Sequence, residues 1–165
     1  MDTGQLESAI STWLMQNHGI EGRLERLGGE NLNYRVVTRD DERYVFKALG
    51  GLIAEETADL EYDMLEHVRD SGFELGLPLI LRDRDGRIES PVRIPLPGSH
   101  RARLLSFVDG ELLEHRRERS SALLGDIGRS LASLDRALAG FDHPGAYRGH
   151  PWELARAGMH RDKAA

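Results

Sequence analysis

The order of elements in this 165-residue sequence predicts an α+β protein: a helix, three strands, a helix, two or three strands, a linker and a final helix. Two observations lead to this prediction. The β-rich runs are grouped before the strongest helical pattern, which is typical of α+β architecture. The connections between the early strands are short and polar, which favours antiparallel hairpins.

The first half of the chain supplies a helix, three strands and a second helix. Apolar residues recur at helical spacing near the N-terminus: Leu6, Ile10, Trp13 and Leu14. Gly19 is suited to end that helix. The strand candidates that follow are residues 22–27, 32–38 and 43–49. Apolar residues at helical spacing then predict a helix over 54–69, which Gly72 ends.

The next region predicts further strands. Residues 77–81 and 87–94 are expected to form a hairpin that turns at 83–86. Pro91 cannot donate a ladder hydrogen bond, so the second strand is predicted to be an edge strand or to be broken. Residues 101–108 alternate well enough to predict another strand.

A strong helical stripe follows the strands, formed by Leu123, Leu124, Ile127, Leu131, Leu134 and Leu138. Gly140 and Pro144 end it, and a short helix is predicted over 152–157. We therefore divide the chain into a sheet lobe, 1–108, and a hinge with a helical lobe, 109–165. The stripe is broad, so we expect it to be under-packed in the isolated chain and to favour self-association.

Composition limits the classes of function. The formal net charge is −6 and no block of the sequence is rich in Lys and Arg, which argues against nucleic acid or an anionic membrane as the main partner. The absence of cysteine excludes disulfides and Cys-based zinc sites. No secretory signal or membrane-spanning run is recognised, so the expected location is the cytoplasm.

A glycine turn and a strand lysine are the most informative feature. The pair Gly28-Gly29 opens the β-rich run 32–38, and the next run carries Lys47 among apolar neighbours. This order is typical of a kinase nucleotide-binding lobe, where turn amides approach phosphates and a strand lysine supplies a fixed positive charge. The commoner pattern, a solvent-facing lysine on a half-buried strand, also fits Lys47.

A phosphate-binding lysine needs a carboxylate to hold it. The candidates on the following helix are Glu55, Glu56, Glu61 and Glu66. Glu61 is favoured because it lies near the middle of the helix, where its side chain can turn back towards a strand. A solvated surface glutamate remains the alternative.

Two further segments are candidates for nucleotide contacts. One of the two glycines of the turn is expected to need a positive φ, and Gly29 is a candidate for nucleotide contact. Asn31 and Asn33 either donate amide hydrogens to phosphate oxygens or shape the turn. The strand that carries Leu105 and Phe107 leads into a linker, where backbone groups read an adenine or guanine edge. A core strand followed by an ordinary turn fits this segment equally.

No catalytic or metal-binding residue is predicted from motifs. The triplet His160-Arg161-Asp162 has the form of a kinase His-x-Asp sequence, but no asparagine follows at the spacing that a metal would need. The other histidines lack metal-ligand spacing, and no P-loop or nucleophile elbow occurs.

Taken together, these segments resemble the aminoglycoside phosphotransferase family, and within it hydroxylysine kinase and the phosphotransferase domains joined to class III aminotransferases. The matching segments are residues 29–36, 44–48, 60–65, 103–110, 124–128, 134–138, 140–144 and 152–154. The resemblance covers the chain to about residue 157.

The resemblance implies a protein-kinase-like fold, with an antiparallel N-lobe and the first helices of a C-lobe. It implies ATP or GTP with Mg²⁺ between the lobes, Lys47 on the phosphates, Glu61 holding Lys47, and 105–108 as the hinge. It also implies phosphorylation of a hydroxyl group on a small amine-bearing substrate. The family's catalytic loop would follow the segments matched here, so we expect a chain truncated before that loop and inactive in isolation.

Two alternatives remain open at this point. One is a non-catalytic nucleotide-binding or interaction module derived from the same fold. The other is a generic α+β domain with an unrelated partner. Stabilisation of the fold by nucleotide would separate the kinase and the module derived from its fold from the generic α+β domain.

Overall fold

The computed structural model of the chain describes residues 3–29, 31–50 and 55–147. Its helices are α1 (Thr3–His18), α2 (Glu55–Asp70) and α3 (Ser121–Ala137). Its strands are β1 (Arg23–Leu27), β2 (Leu32–Val37), β3 (Arg43–Gly50), β4 (Ile80–Leu81), β5 (Ser90–Val92) and β6 (His100–Ser106). The first three strands and α2 lie within one residue of the predicted ends, and α1 and α3 contain the predicted helical stripes.

The strands form one six-stranded sheet in the order β1-β2-β3-β6-β4, with β5 also paired to β6. Every pair is antiparallel. This arrangement confirms the predicted α+β fold with an antiparallel N-lobe. β3 and β6 are neighbours although α2 and two strands separate them in sequence, so the strand with Lys47 lies beside the strand that leads to the predicted hinge.

The hydrophobic core lies between α1 and one face of the sheet. The apolar stripe of α1 is buried there, with Ile10 fully inaccessible and Leu6 and Leu14 at 1% exposure. Trp13 meets Phe46 edge to face at 5.3 Å and donates from Nε1 to the carbonyl of Pro91 at 3.2 Å. Because side chains alternate along a strand, the residues between those of the core point to the opposite face.

The predicted hairpin of 77–81 with 87–94 is wrong. β4 and β5 do not pair with each other: each pairs with a different part of β6. The turn at 83–86 is present, but Asp83 organises it and accepts backbone hydrogen bonds from Asp85 and Arg87. The long β6 offers a complete backbone edge, which two short strands share. Pro91 lies in the three-residue β5, as expected for an edge position.

The apolar stripe of α3 is only partly covered, with Leu123, Ile127, Leu134 and Leu138 half-buried. Leu124 and Leu131 are 52% and 58% exposed, and Ala137 is the one buried residue recorded for this helix. This exposure agrees with the expected under-packing, whereas self-association stays a prediction. The predicted helix over 152–157 and the triplet 160–162 lie outside the described residues. Among the helices in the described ranges, none combines the length and apolar character needed to cross a membrane.

Candidate functional site

The strand register places three polar side chains in one row across the sheet. Asn33 on β2 is the direct partner of Lys47 on β3, and Lys47 is the direct partner of Arg103 on β6. The adjacent row, which contains Phe46 and Leu104, belongs to the core under α1. The polar row therefore lies on the opposite face of the sheet from α1, on the side of α2.

Lys47 is held by Glu61 on α2. Its Nζ donates to both carboxylate oxygens, at 3.1 Å to Oε1 and 3.2 Å to Oε2. Both side chains are about three-quarters covered, with exposures of 23% and 27%. Lys47 is therefore not the solvated residue of a half-buried strand. The structure brings together the two residues that the sequence paired.

The other candidate carboxylates do not compete for Lys47 in the described part of the chain. Glu66 forms an ion pair with Arg69 on the same helix. The side chains of Glu55 and Glu56 lie outside the described residues. Position along α2 determines which of these two glutamates pairs with Lys47. Glu61 is on the helix face that meets β3, whereas Glu66 is more than a turn further on.

Arg103 is a member of the site that sequence reasoning missed. Its side chain is 1% exposed, and its Nη1 lies 3.0 Å from Oε2 of Glu61. Among the residues that the structure describes, none offers its three guanidinium nitrogens a hydrogen bond of acceptable geometry. The contact is thus an ion pair by distance, with the N–H directions poorly aligned to the oxygen. The alternation of side chains along β6 would have predicted that Arg103 lies on the same face of the sheet as Lys47. It would not have predicted that Arg103 is buried.

The glycine turn has the conformation that one glycine was expected to need. Gly29 has φ of +115°, and a Cβ there would lie 3.1 Å from Nδ2 of Asn33. Asn33 donates from Nδ2 to the carbonyl of Gly28 at 3.3 Å, so its amide shapes the turn in this structure. Asn31 is half-buried. Asn33 therefore belongs to the row that contains Lys47. In the described part of the chain, Asn31 makes no side-chain hydrogen bond to that row.

The predicted hinge is only partly available to a ligand. Leu105 is buried and pairs with Val45 and Ile80. The amide of Phe107 donates to the carbonyl of Arg43 at 3.1 Å. The Phe107 N–H is thus engaged within the protein, and base recognition by the backbone of this segment stays a prediction. The next amide, that of Val108, has no partner within residues 3–29, 31–50 and 55–147.

Arg43 ties this segment to the sheet a second time. Its guanidinium pairs with the carboxylate of Asp109, with Nη2 at 2.9 Å from Oδ2. The Phe107 ring lies against the guanidinium groups of Arg35 and Arg43, at 5.6 and 5.7 Å from its centroid. The chain therefore leaves β6 along a path that is fixed by the start of β3.

The arrangement provides a cation held by a carboxylate, a tight glycine turn, and a backbone amide with no internal partner at the end of β6. The family model of the phosphotransferase enzyme family (APH) matches residues 23–165, most of the chain. The chain belongs to this family. The antiparallel sheet, the Lys47–Glu61 pair and the hinge segment all lie within the matched residues.

Two solved structures share the fold. A microcompartment-associated aminopropanol kinase is 18% identical with a TM-score of 0.68, over 90% of this chain and 46% of that one. An amicoumacin kinase in complex with AMP-PNP, Ca²⁺ and Ami is 13% identical with the same TM-score, over 93% of this chain and 46% of that one. This chain thus spans about half the length of both. No curated protein matches it significantly.

Proposed function

We propose that this chain carries the nucleotide-binding lobe of a small-molecule kinase, which transfers phosphate from ATP or GTP to a hydroxyl group of an amine-bearing substrate. The single observation that carries the proposal is the Lys47–Glu61 pair, with Nζ at 3.1 and 3.2 Å from the two carboxylate oxygens. Phosphoryl transfer depends on positioning and charge neutralisation, and a lysine held by a helix glutamate supplies both at the phosphates.

The turn and the end of β6 support a nucleotide as the ligand. Gly29 lacks a side chain at a turn of positive φ beside the Lys47 row, so backbone can come close to a phosphate there. At the other end, the Val108 amide is available to donate a hydrogen bond to an acceptor on a base edge, in place of the Phe107 amide. Because β3 lies between β2 and β6 in the sheet, Lys47 lies between the glycine turn that precedes β2 and the segment that follows β6.

Divalent metal is expected of a kinase, and the described residues do not supply its site. In the ranges 3–29, 31–50 and 55–147, no group of three or more His, Asp or Glu side chains is suited to hold a metal ion. Mg²⁺ needs oxygen ligands on fixed backbone. We therefore derive no step through the metal, and we assign to this chain the binding and orientation of the nucleotide.

The acceptor class rests on the family and its structural neighbours. One neighbour is an aminopropanol kinase and another an amicoumacin kinase. We propose a hydroxylated amino acid or an amino alcohol as acceptor, as for a hydroxylysine kinase. Such an acceptor carries a hydroxyl to receive phosphate and an amine that an acidic site recognises. The cytoplasm, where ATP and GTP are available, is the proposed location.

Nucleotide binding tests the proposal directly. Isothermal titration calorimetry with ATP and with GTP, in the presence of Mg²⁺, is compared for the wild type, Lys47→Ala and Arg39→Ala. Arg39 is an exposed cation of the β2–β3 turn and makes no contact in the described structure, so it controls for the loss of one charge. We expect Lys47→Ala to weaken binding by about tenfold or more, the worth of one charge–phosphate contact, and Arg39→Ala to leave it unchanged.

A second arm tests for transfer by the chain itself. Radiolabelled ATP is incubated with 5-hydroxylysine, ethanolamine, aminopropanol and an aminoglycoside mixture. Transfer that is lost in Lys47→Ala supports the kinase, names its acceptor and contradicts both the expected inactivity and the non-catalytic module. Nucleotide binding without transfer agrees with a nucleotide-binding lobe that is inactive in isolation, and the absence of nucleotide binding contradicts both the kinase lobe and the nucleotide-binding module.

A further inference from the structure

Arg103 is a buried cation that the proposed reaction does not yet use. Its side chain is 1% exposed, which makes it the largest fully buried side chain of the described residues. Removing a guanidinium from water is costly unless it is paired and hydrogen-bonded. All three of its nitrogens are buried, and they make no well-formed hydrogen bond within residues 3–29, 31–50 and 55–147. Such an arrangement calls for a specific reason.

Glu61 supplies the counter-charge. Its Oε2 lies 3.0 Å from Nη1 of Arg103, and it is the carboxylate that pairs with Arg103 in the described part of the chain. The neighbouring cation on the same strand face, Arg101, pairs with Glu89 instead. Glu61 is therefore shared by two cations, and Glu61, Lys47 and Arg103 together carry a formal charge of +1.

The two contacts with Glu61 differ in kind. Lys47 donates hydrogen bonds to both oxygens, at 3.1 and 3.2 Å, whereas no Arg103 N–H makes a hydrogen bond in the described part of the chain. The oxygens are thus committed to Lys47 while no phosphate is present. A lysine that turns towards a phosphate would release them, and the guanidinium of Arg103 is already within reach to donate to them.

We propose that Arg103 is a positioning residue for the nucleotide phosphates, acting through Glu61; this inference rests on the proposed function. Arg103 neutralises the Glu61 carboxylate when the ammonium group of Lys47 pairs with the phosphates instead. It also leaves the site with the net positive charge that an anion requires. Without Arg103, the attraction of Lys47 to a phosphate would compete with a partly buried carboxylate that has no other partner.

The test compares ATP with adenosine, which lacks phosphates, in calorimetric titrations of the full chain. Arg103→Met removes the charge and keeps an unbranched, apolar side chain in the buried site. Arg103→Lys keeps the charge, and Arg39→Met makes the same chemical change at an exposed position of the β2–β3 turn. We expect Arg103→Met to weaken ATP binding about tenfold, equivalent to about 1.4 kcal/mol, and to leave adenosine binding and the melting temperature unchanged. Arg103→Lys is expected to recover most of the ATP affinity.

Three outcomes would overturn the inference. Equal weakening of ATP and adenosine would give Arg103 a purely structural role. Unchanged ATP affinity in Arg103→Met, together with weakened binding in Lys47→Ala, would remove Arg103 from the site and leave the proposed function standing. No ATP binding by the wild type would reject the proposed function itself. If Arg103→Met does not fold, Arg103→Gln replaces it, since it removes the charge and keeps a polar side chain in the buried site. A ratio of ATP to adenosine affinity below that of the wild type supports the inference, and the wild-type ratio overturns it.

Discussion

Lys47 and Arg103 are direct cross-strand partners, and both lie within 3.2 Å of the same carboxylate. Like charges directly opposite each other destabilise a sheet. Glu61 removes this penalty by lying between the two cations, so the placement of α2 and the pairing of β3 with β6 depend on each other. This relationship has consequences for stability that do not need a nucleotide.

We first predict that Glu61→Gln destabilises the chain by about 2 kcal/mol, because it leaves a buried guanidinium without a counter-charge in a site that is only partly screened. Chemical denaturation measures the loss. The matched control is Glu66→Gln on the same helix, where an exposed ion pair with Arg69 is worth about 0.5 kcal/mol or less. Recovery of stability in the double variant Glu61→Gln, Arg103→Met would assign the loss to Arg103, and equal losses in Glu61→Gln and Glu66→Gln would contradict the prediction.

The glycine turn gives a second prediction with an internal control. Gly29 has φ of +115°, which an alanine adopts only with strain, whereas Gly28 has no positive φ and open space around its Cα. We expect Gly29→Ala to cost about 1–2 kcal/mol of unfolding free energy and Gly28→Ala to be nearly neutral. Urea denaturation of the two variants measures this difference. Similar stabilities would mean that the turn rearranges to accept a side chain.

The third prediction concerns the stability of the fold at low pH. Asp83 has a side chain that is 2% exposed, and burial alone would raise the pKa of its carboxyl. Hydrogen bonds from the Ser90 hydroxyl, the backbone and guanidinium of Arg87 and the Asp85 amide outweigh burial and hold this pKa well below its usual range. A carboxylate with a lowered pKa in the folded state stabilises the fold above its unfolded pKa of about 3.9.

This contribution is lost as the pH falls below about 4 towards the folded pKa. We therefore expect Asp83→Asn to lose about 2 kcal/mol at pH 7 and the gap to the wild type to narrow in acid. Unfolding free energies measured from pH 7 to pH 2 test this. Asp85→Asn, in the same turn but with a 68% exposed side chain, is the control. A gap that stays constant down to pH 2 would show that the Asp83 carboxylate is not the group that titrates.

The fourth prediction concerns α3. Leu124 and Leu131 are seven residues apart, so they lie on one face of the helix, and both are more than half exposed. An exposed apolar face of this kind favours association between copies of the chain. We expect sedimentation velocity to show concentration-dependent self-association, which Leu124→Glu with Leu131→Glu reduces and Ala132→Glu, another exposed position of α3, does not. A strictly monomeric wild type would be the contrary result.

Much of the fold follows from patterns within single segments. The helices, the first three strands and the antiparallel pairing are marked by apolar periodicity and by short polar connections, which depend on neighbouring residues alone. The pairing of β4 and β5 was not predictable in this way. Both strands are too short to form a stable hairpin with each other. Each pairs instead with β6, which lies further along the chain.

The site shows the same division. Lys47 and Glu61 follow from a strand lysine and a mid-helix glutamate, and the structure joins them. Arg103 carried no local signal, because Arg101 and Arg103 alternate in the same way and differ only in what covers them. Arg101 is 41% exposed and Arg103 is 1% exposed. Sequence patterns do not show which of the two arginines the folded chain covers.

The segment after α3 also contacts α2. The Phe141 ring lies 5.2 Å from that of His67, and Nε2 of His143 lies 3.6 Å from Oδ2 of Asp63, two residues from Glu61. The same helix is therefore bounded by the sheet on one side and by residues of the region that follows α3 on the other. The position of Glu61 relative to Lys47 and Arg103 therefore depends on contacts that α2 makes with both the sheet and residues 141–143. A substitution that displaces Phe141 or His143 is expected to act on the cations of the sheet through α2, although neither residue makes a hydrogen bond or ion pair with them in the described part of the chain.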